Sequence, residues 1–278
     1  MKRLLSIELQ KIWMNKASKV LTLCYFILLS FIALIASIKF EIGAIKLHFA
    51  EMGIFNFPFI WHFNTYIAAW LKFFLAIVIV SMMANEYSYG TLKQNLIDGM
   101  SKKEFILSKF LTIVVFALCS TLFVFILSIV LGYSFSSYTE PSIVFSDLEY
   151  IVAFFVKLVG FFSFCLFLGI LVKRSAFAIG FLLVWSIIES ITKGLLVFHI
   201  FPENKIADNI TQFFPLESMS NLIIEPFTRL NVIKNIGTQL GVDDIKDYGV
   251  PFSAIVIVLA WSFIFMFLSH KLLKNRDL

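Results

Sequence analysis

The residues able to do chemistry in this chain are few. Four charged side chains, Lys72, Lys157, Glu189 and Lys193, fall inside long apolar runs, where a charge is costly and marks a functional hypothesis by default. Between two other runs lies a polar stretch from Glu86 to Lys109, carrying Glu86-x-x-x-Gly90-Thr91 and then Ser101-Lys102-Lys103-Glu104. Thr91-Leu-Lys-Gln94 and Ser101-Lys-Lys-Glu104 both match the capping box, in which a hydroxyl and a Glu or Gln three residues on satisfy free backbone donors. Gly99, between them, suits a helix C-terminus. The pattern predicts a short helix over 92–98, a stop at Gly99, and a second helix from Lys102 into the next apolar run. Leu92, Leu96 and Ile97 form its apolar face, which lies either in a partner's groove or on lipid headgroups.

Other chemistries lack their parts. There is no GxSG or HExxH motif and no pair of intramembrane carboxylates; the four histidines stand at 48, 62, 199 and 270, near or outside the ends of apolar runs. An intramembrane protease therefore has no nucleophile–base candidate. Cys24, Cys119 and Cys165 lie singly in three runs, without metal-ligand spacing. No Gly-Lys dipeptide occurs, so there is no GxxxxGK[ST] phosphate loop. The expectation is a chain that is not itself an enzyme and binds no metal or cofactor of its own.

The elements that must position these residues are membrane spans. The chain is 60% hydrophobic and 15% charged, with 34 Phe and a mean hydropathy of +0.91; a soluble domain carries about 25% charged residues. Crossing a hydrocarbon core of about 30 Å takes roughly 20 apolar residues in a helix. Six stretches qualify, at about 20–38, 66–84, 110–132, 150–172, 176–198 and 252–270. They are too long for barrel strands, and backbone groups in lipid must be satisfied internally, so the fold class is an all-α membrane protein with a single domain over 1–278.

Lys and Arg set the orientation. Lys2, Arg3, Lys11, Lys16 and Lys19 precede the first span; Lys93, Lys102, Lys103 and Lys109 follow the second; Lys173 and Arg174 follow the fourth; Lys271, Lys274 and Arg276 follow the sixth. The segment 133–149 has Glu140, Asp147 and Glu149 but no Lys or Arg. Both termini are then cytoplasmic. This bias accounts for the net charge of +5 without a nucleic-acid partner.

Residues 1–19 read as a basic amphipathic helix in the inner interface, with Leu4, Leu5, Leu9, Ile12 and Trp13 on one face. Glu8 intrudes at the edge of that stripe, as a surface charge beside Lys11 or Lys16 or as a contact to a cytoplasmic partner. Residues 54–63 are aromatic-rich, broken by Pro58, and read as an outer-interface belt. The outer loop 199–251 holds two short helical patterns, 206–214 and 216–224, that would re-enter the outer leaflet only if buried against protein. Asp243, Asp244 and Asp247 read as a solvated turn rather than a cation site. Lys72, Lys157 and Lys193 lie near the outer boundary and can snorkel. Glu189, four residues before Lys193, either forms a neutral pair with it or belongs to a polar layer along a path or gate. Ala176 and Gly180 have the small-xxx-small spacing of helix packing.

Glu86-x-x-x-Gly90-Thr91, the short helix after it, then Ser101-Lys102 and Lys109 opening the next span resemble the permease subunit of type-2 ABC exporters. The six spans and the N-terminal elbow helix extend the resemblance over the whole architecture. That family often has Pro near the end of its coupling helix, where this chain has Gly99-Met100. The resemblance implies a homo- or heterodimer of permeases in a bacterial cytoplasmic membrane, driven by two separate ABC ATPase subunits that hold ATP and Mg. It implies coupling through Glu8, Glu86, Gly90, Thr91, Leu92, Leu96, Ile97 and Gly99; the charges within the spans, Lys72, Lys157, Glu189 and Lys193, are the candidates for a path or gate. The substrate would be an amphipathic or lipid-like compound. A non-transporting membrane anchor or sensor for an ATPase is the alternative reading.

Overall fold

The computed structural model describes residues 2–38, 40–42, 45–47, 52–201, 206–230 and 247–276. Helix α1, Lys2–Met14, breaks at Asn15, whose side chain caps α2, Lys16–Ser37, by accepting from the Ser18 N–H at 3.1 Å. A three-residue antiparallel ribbon follows, β1 (Phe40–Ile42) with β2 (Ile45–Leu47), in register Phe40↔Leu47. Next come α3 (Phe59–Ser88), α4 (Thr91–Ile97), α5 (Lys102–Phe135), α6 (Pro141–Val144), α7 (Glu149–Val172) and α8 (Ser175–Leu195). A π turn, Leu196–Ile200, closes α8. The long segment after it contributes α9 (Ile206–Thr211), α10 (Pro215–Asn221) and a 3₁₀ turn, Phe227–Arg229, before α11 (Phe252–Lys274). Among the described residues, six helices are long and apolar enough to cross a membrane: α2, α3, α5, α7 together with α6, α8 extended by its π turn, and α11. This is a helical, multi-pass membrane protein.

Helix α7 is the central post. It packs on α3, α5, α8 and α11, and nearly every residue from Ala153 to Ile170 is buried. In lipid the hydrophobic effect does not drive helices together, so close packing must. By contrast α2 and α8 leave most of their apolar surface facing outward. On α8, Ala176 is exposed, and a Cβ built on Gly180 has nothing within 4 Å.

The aromatic run 54–63 is not an interfacial belt. Helix α3 begins at Phe59, seven residues earlier than the hydropathy window places it, and Ile54, Phe55, Phe57, Ile60 and Trp61 form a second buried core with Leu131, Val144 and Tyr150. The Trp61 indole N–H donates to the Val144 carbonyl at 2.8 Å, and its ring stacks on Phe125 at 5.3 Å. Tryptophan is buried once its N–H finds an acceptor. Phe57 lies against Gly132 of α5, where a Cβ would stand 2.2 Å from Phe57 Cζ. Trp61 and Tyr133, each with its ring centroid 5.7 Å from that of Phe57, hem the Phe57 ring in. Gly132→Ala is therefore expected to destabilise by about 1–3 kcal/mol through overpacking. The check is the thermal midpoint of the detergent-solubilised protein, with Gly194→Ala as control, since its Cβ would enter open space.

Candidate functional site

At the end of the bundle that carries α1 and α4, the helices meet at a buried ion cluster. Lys109, in the second turn of α5, is fully buried; its Nζ lies 2.5 Å from Glu8 Oε2 on α1 and 2.6 Å from Glu86 Oε1 in the last turn of α3. Lys11 Nζ lies 2.9 Å from the same Glu86 oxygen and 3.5 Å from Glu8 Oε1. The Thr91 hydroxyl, opening α4, donates to Glu86 Oε2 at 2.6 Å. Two carboxylates and two ammonium groups make the cluster locally neutral. Burial lowers the Lys11 pKa, but its hydrogen bond to Glu86 and the charges of Glu8 and Glu86 outweigh that and raise it above the usual ammonium value. A raised ammonium pKa gives stability that is fully present below the ordinary Lys value and lost only as pH climbs through the raised one. The Lys11 contacts therefore hold throughout the neutral range. A cavity of about 320 Å³ opens beside the cluster, lined by Glu8, Lys11, Asn15, Asn85, Glu86 and Thr91 among others.

Glu8 thus lies beside Lys11, as one reading of the sequence has it, but is not a surface charge. It turns inward, at 5% exposure, to reach Lys109. Its position at the edge of the apolar stripe was the visible sign of this. Lys109 enters the sequence reading through the orientation bias and the motif opening the third span, not as a cluster member; a cation in the second turn of a span, opposite a carboxylate ending the previous one, was the available signal.

Helix α4 differs from its expected form at one end and agrees at the other. Its N-cap is Gly90, at φ +69°, rather than Thr91. The capping box at 91–94 is not formed, because the Thr91 hydroxyl is already engaged by Glu86. At the far end Gly99, at φ +96°, places its N–H 3.2 Å from the Leu96 carbonyl, and the Met100 N–H reaches the Asn95 carbonyl at 3.0 Å. That is the Schellman pattern of helix ends. The second box is complete: Ser101 Oγ accepts from the Glu104 N–H at 3.2 Å, and Glu104 Oε2 accepts from the Ser101 N–H at 2.9 Å. The apolar face divides. Leu92 is buried in the chain's own core and Leu96 is half-buried against it, whereas Ile97 is 74% exposed.

Three of the four charges within the spans, Glu189, Lys193 and Lys157, contact the segment between α8 and α11. Glu189 does not pair with Lys193. Its carboxylate accepts from the Trp185 indole N–H at 2.5 Å and from the backbone N–H groups of Leu216 and Glu217, each at 3.0 Å. Lys193 instead pairs with Glu217 at 2.5 Å. Lys157 is buried rather than snorkelling, with its Nζ 3.5 Å from the Ser220 carbonyl. A carboxylate therefore stands at the N-terminal end of α10 and an ammonium near its C-terminal end, the signs that suit a helix dipole. Helix α10 packs on α7, α8 and α11, which supplies the protein burial that a re-entrant segment needs. Lys72 is half-buried, with its Nζ 4.5 Å from the Phe161 ring centroid. Glu189→Ala would strip the acceptor from one indole and two backbone N–H groups. An unsatisfied buried donor costs about 1–3 kcal/mol, so a lower melting midpoint is expected, with Glu189→Gln closer to wild type.

A further cluster, at the start of α3 and α7, was not foreseen. The His62 ring stacks on Tyr150 with centroids 4.3 Å apart. Its Nε2 donates to the Ile224 carbonyl at 2.8 Å, which leaves Nδ1 to accept from Arg229 at 3.1 Å. Tyr150 donates to the Tyr248 carbonyl at 2.8 Å. These contacts tie the segment between α8 and α11 to α3 and α7. Asp247 turns back to accept from the Gly249 N–H at 3.0 Å; Asp243 and Asp244 lie outside the described residues.

No curated protein matches the chain. A family model described as "Protein of unknown function (DUF2705)" matches residues 26–278, from within α2 through all the later spans and the α4 turn. The chain belongs to the DUF2705 family.

Proposed function

We propose that this protein is the membrane-spanning subunit of an ATP-driven transporter of the type-2 ABC kind. Two such permeases stand above two separate ATPase subunits that carry ATP and Mg, in a bacterial cytoplasmic membrane with both termini inside. The cargo is an amphipathic or lipid-like compound moved outward. The observation that carries this reading is the buried cluster of Glu8, Lys11, Glu86, Thr91 and Lys109. It locks the elbow helix, the end of α3, the start of α4 and the start of α5 into one unit. A push on the exposed side of α4 would then be felt by two spans and the elbow together. Such a unit can bias a two-state bundle only if the ATPase binds its two states differently.

Support for a second permease comes from α8, whose outward apolar face includes the exposed Ala176 and also Gly180, where an added Cβ would meet open space. Small residues at that spacing let two helices approach closely. The path residues fit less directly: Glu189, Lys193 and Lys157 hold α10, so any gating by them would act by moving that helix. The test is to co-express the tagged full chain with the ATPase encoded nearest its gene and measure ATP turnover of the purified complex. Turnover that depends on the chain supports the reading; an ATPase that neither co-purifies nor changes its rate argues against it.

A further inference from the structure

Helices α5 and α11 leave a groove of about 570 Å³ between their inner halves, floored by Val159 of α7. Its walls are apolar, with Leu107 and Phe110 on one side and Phe263 and Phe267 on the other. Phe263 is 73% exposed, so the groove opens toward the lipid. One end is basic. Lys103 and His270 line the groove where α5 starts and α11 ends, and the exposed Lys271 and Lys274 follow in the last turn of α11. Lys102 is not available there, since its Nζ is held by the carbonyls of Lys274 and Arg276 at 3.2 and 3.0 Å. Lys103 makes no ion pair among the described residues, and no carboxylate lines the groove. An apolar slot closed by cations at one end matches a molecule with an acyl chain and an anionic head. The groove beneath the elbow, about 450 Å³ and bounded by Leu9, Trp13, Phe26 and Phe116 among others, has no charged side chain in its lining and lacks this complement.

We propose that the α5–α11 groove is a binding site for an anionic phospholipid of the cytoplasmic leaflet, with an acyl chain along Phe110, Phe263 and Phe267 and the phosphate at Lys103, His270 and Lys271. Basic pockets between spans on the cytoplasmic side bind anionic headgroups. The site rests on the orientation given above and not on any ATPase.

Native mass spectrometry of the delipidated full chain, titrated with dioleoyl phosphatidylglycerol or dioleoyl phosphatidylcholine, tests it. The anionic lipid is expected to be retained preferentially. Lys103→Gln and Lys271→Gln should each weaken its retention about fivefold, the equivalent of one surface cation, and leave the zwitterionic lipid unchanged. Both lysines are exposed, so the variants keep the fold, which size-exclusion chromatography verifies. Leu107→Trp, which narrows the slot, should weaken retention of both lipids. Equal retention of the two lipids by the wild type, no effect of the glutamine variants, or displacement of phosphatidylglycerol by inorganic phosphate alone would overturn the site. So would cross-linking of a Phe263→Cys variant to a second copy, because the groove would then be a subunit contact. Ile97→Asp should leave lipid retention intact, which separates failure of this site from failure of ATPase docking.

Discussion

Lys109→Met is expected to deplete folded protein from the membrane. The substitution leaves the buried carboxylates of Glu8 and Glu86 facing each other, with only the half-exposed Lys11 to offset them. Removing one partner from a buried ion pair costs about 3–5 kcal/mol, set against a total stability of roughly 5–15 kcal/mol for a typical domain. Adding Glu86→Gln should restore more than half of the loss. The double variant returns to local neutrality, since Glu8 keeps Lys11 and the glutamine can still accept from Thr91. The recovery of monodisperse protein and its thermal midpoint read both effects. If Lys109→Met melts with the wild type, the cluster does not hold the elbow to the bundle.

Ile97→Asp is the second large effect, and it should fall on function alone. Ile97 is 74% exposed on α4, so the chain's own stability is expected to be unchanged. On the proposed reading it is a central contact for the ATPase. Losing an interface anchor worth about 2 kcal/mol weakens binding about thirtyfold. Leu92→Asp supplies the contrast, because Leu92 is 2% exposed and sits in the core; that variant should fail to fold. Titrating the purified ATPase against the wild type and Ile97→Asp, with ATP turnover as readout, separates docking from folding. Equal turnover curves for the two would remove α4 as the docking element.

Much of the fold is legible in the sequence because lipid imposes a single requirement on long apolar runs. All six runs become helices, and the helix expected from Lys102 into the third span is present as α5. The stop at Gly99 and the Ser101–Glu104 box also follow from local chemistry. What hydropathy does not carry is direction around the helix axis in a bundle where both lipid and core are apolar. The 54–63 run therefore reads as an interface belt, although Phe57 and Trp61 point into a core closed by Gly132 and Val144. Partners distant in sequence are hidden for a related reason. Glu189 and Lys193 are four residues apart and look like a pair, yet each is claimed by α10, more than twenty residues away. Glu8, Glu86 and Lys109 carry only positional hints of meeting: a charge at the edge of an apolar stripe, and a cation opening a span after a carboxylate that ends the previous one. The expense of burying each charge adds that another must be near.

The central claim is that the exposed side of α4 faces the cytoplasm and is covered there by an ATPase. A single cysteine at position 97, with Cys24, Cys119 and Cys165 replaced by alanine, can be labelled with a membrane-impermeant maleimide. The account predicts no labelling in intact cells, ready labelling in inverted vesicles, and protection in those vesicles once the ATPase is bound. Labelling from outside intact cells, or labelling in vesicles that the bound ATPase leaves unchanged, would contradict it.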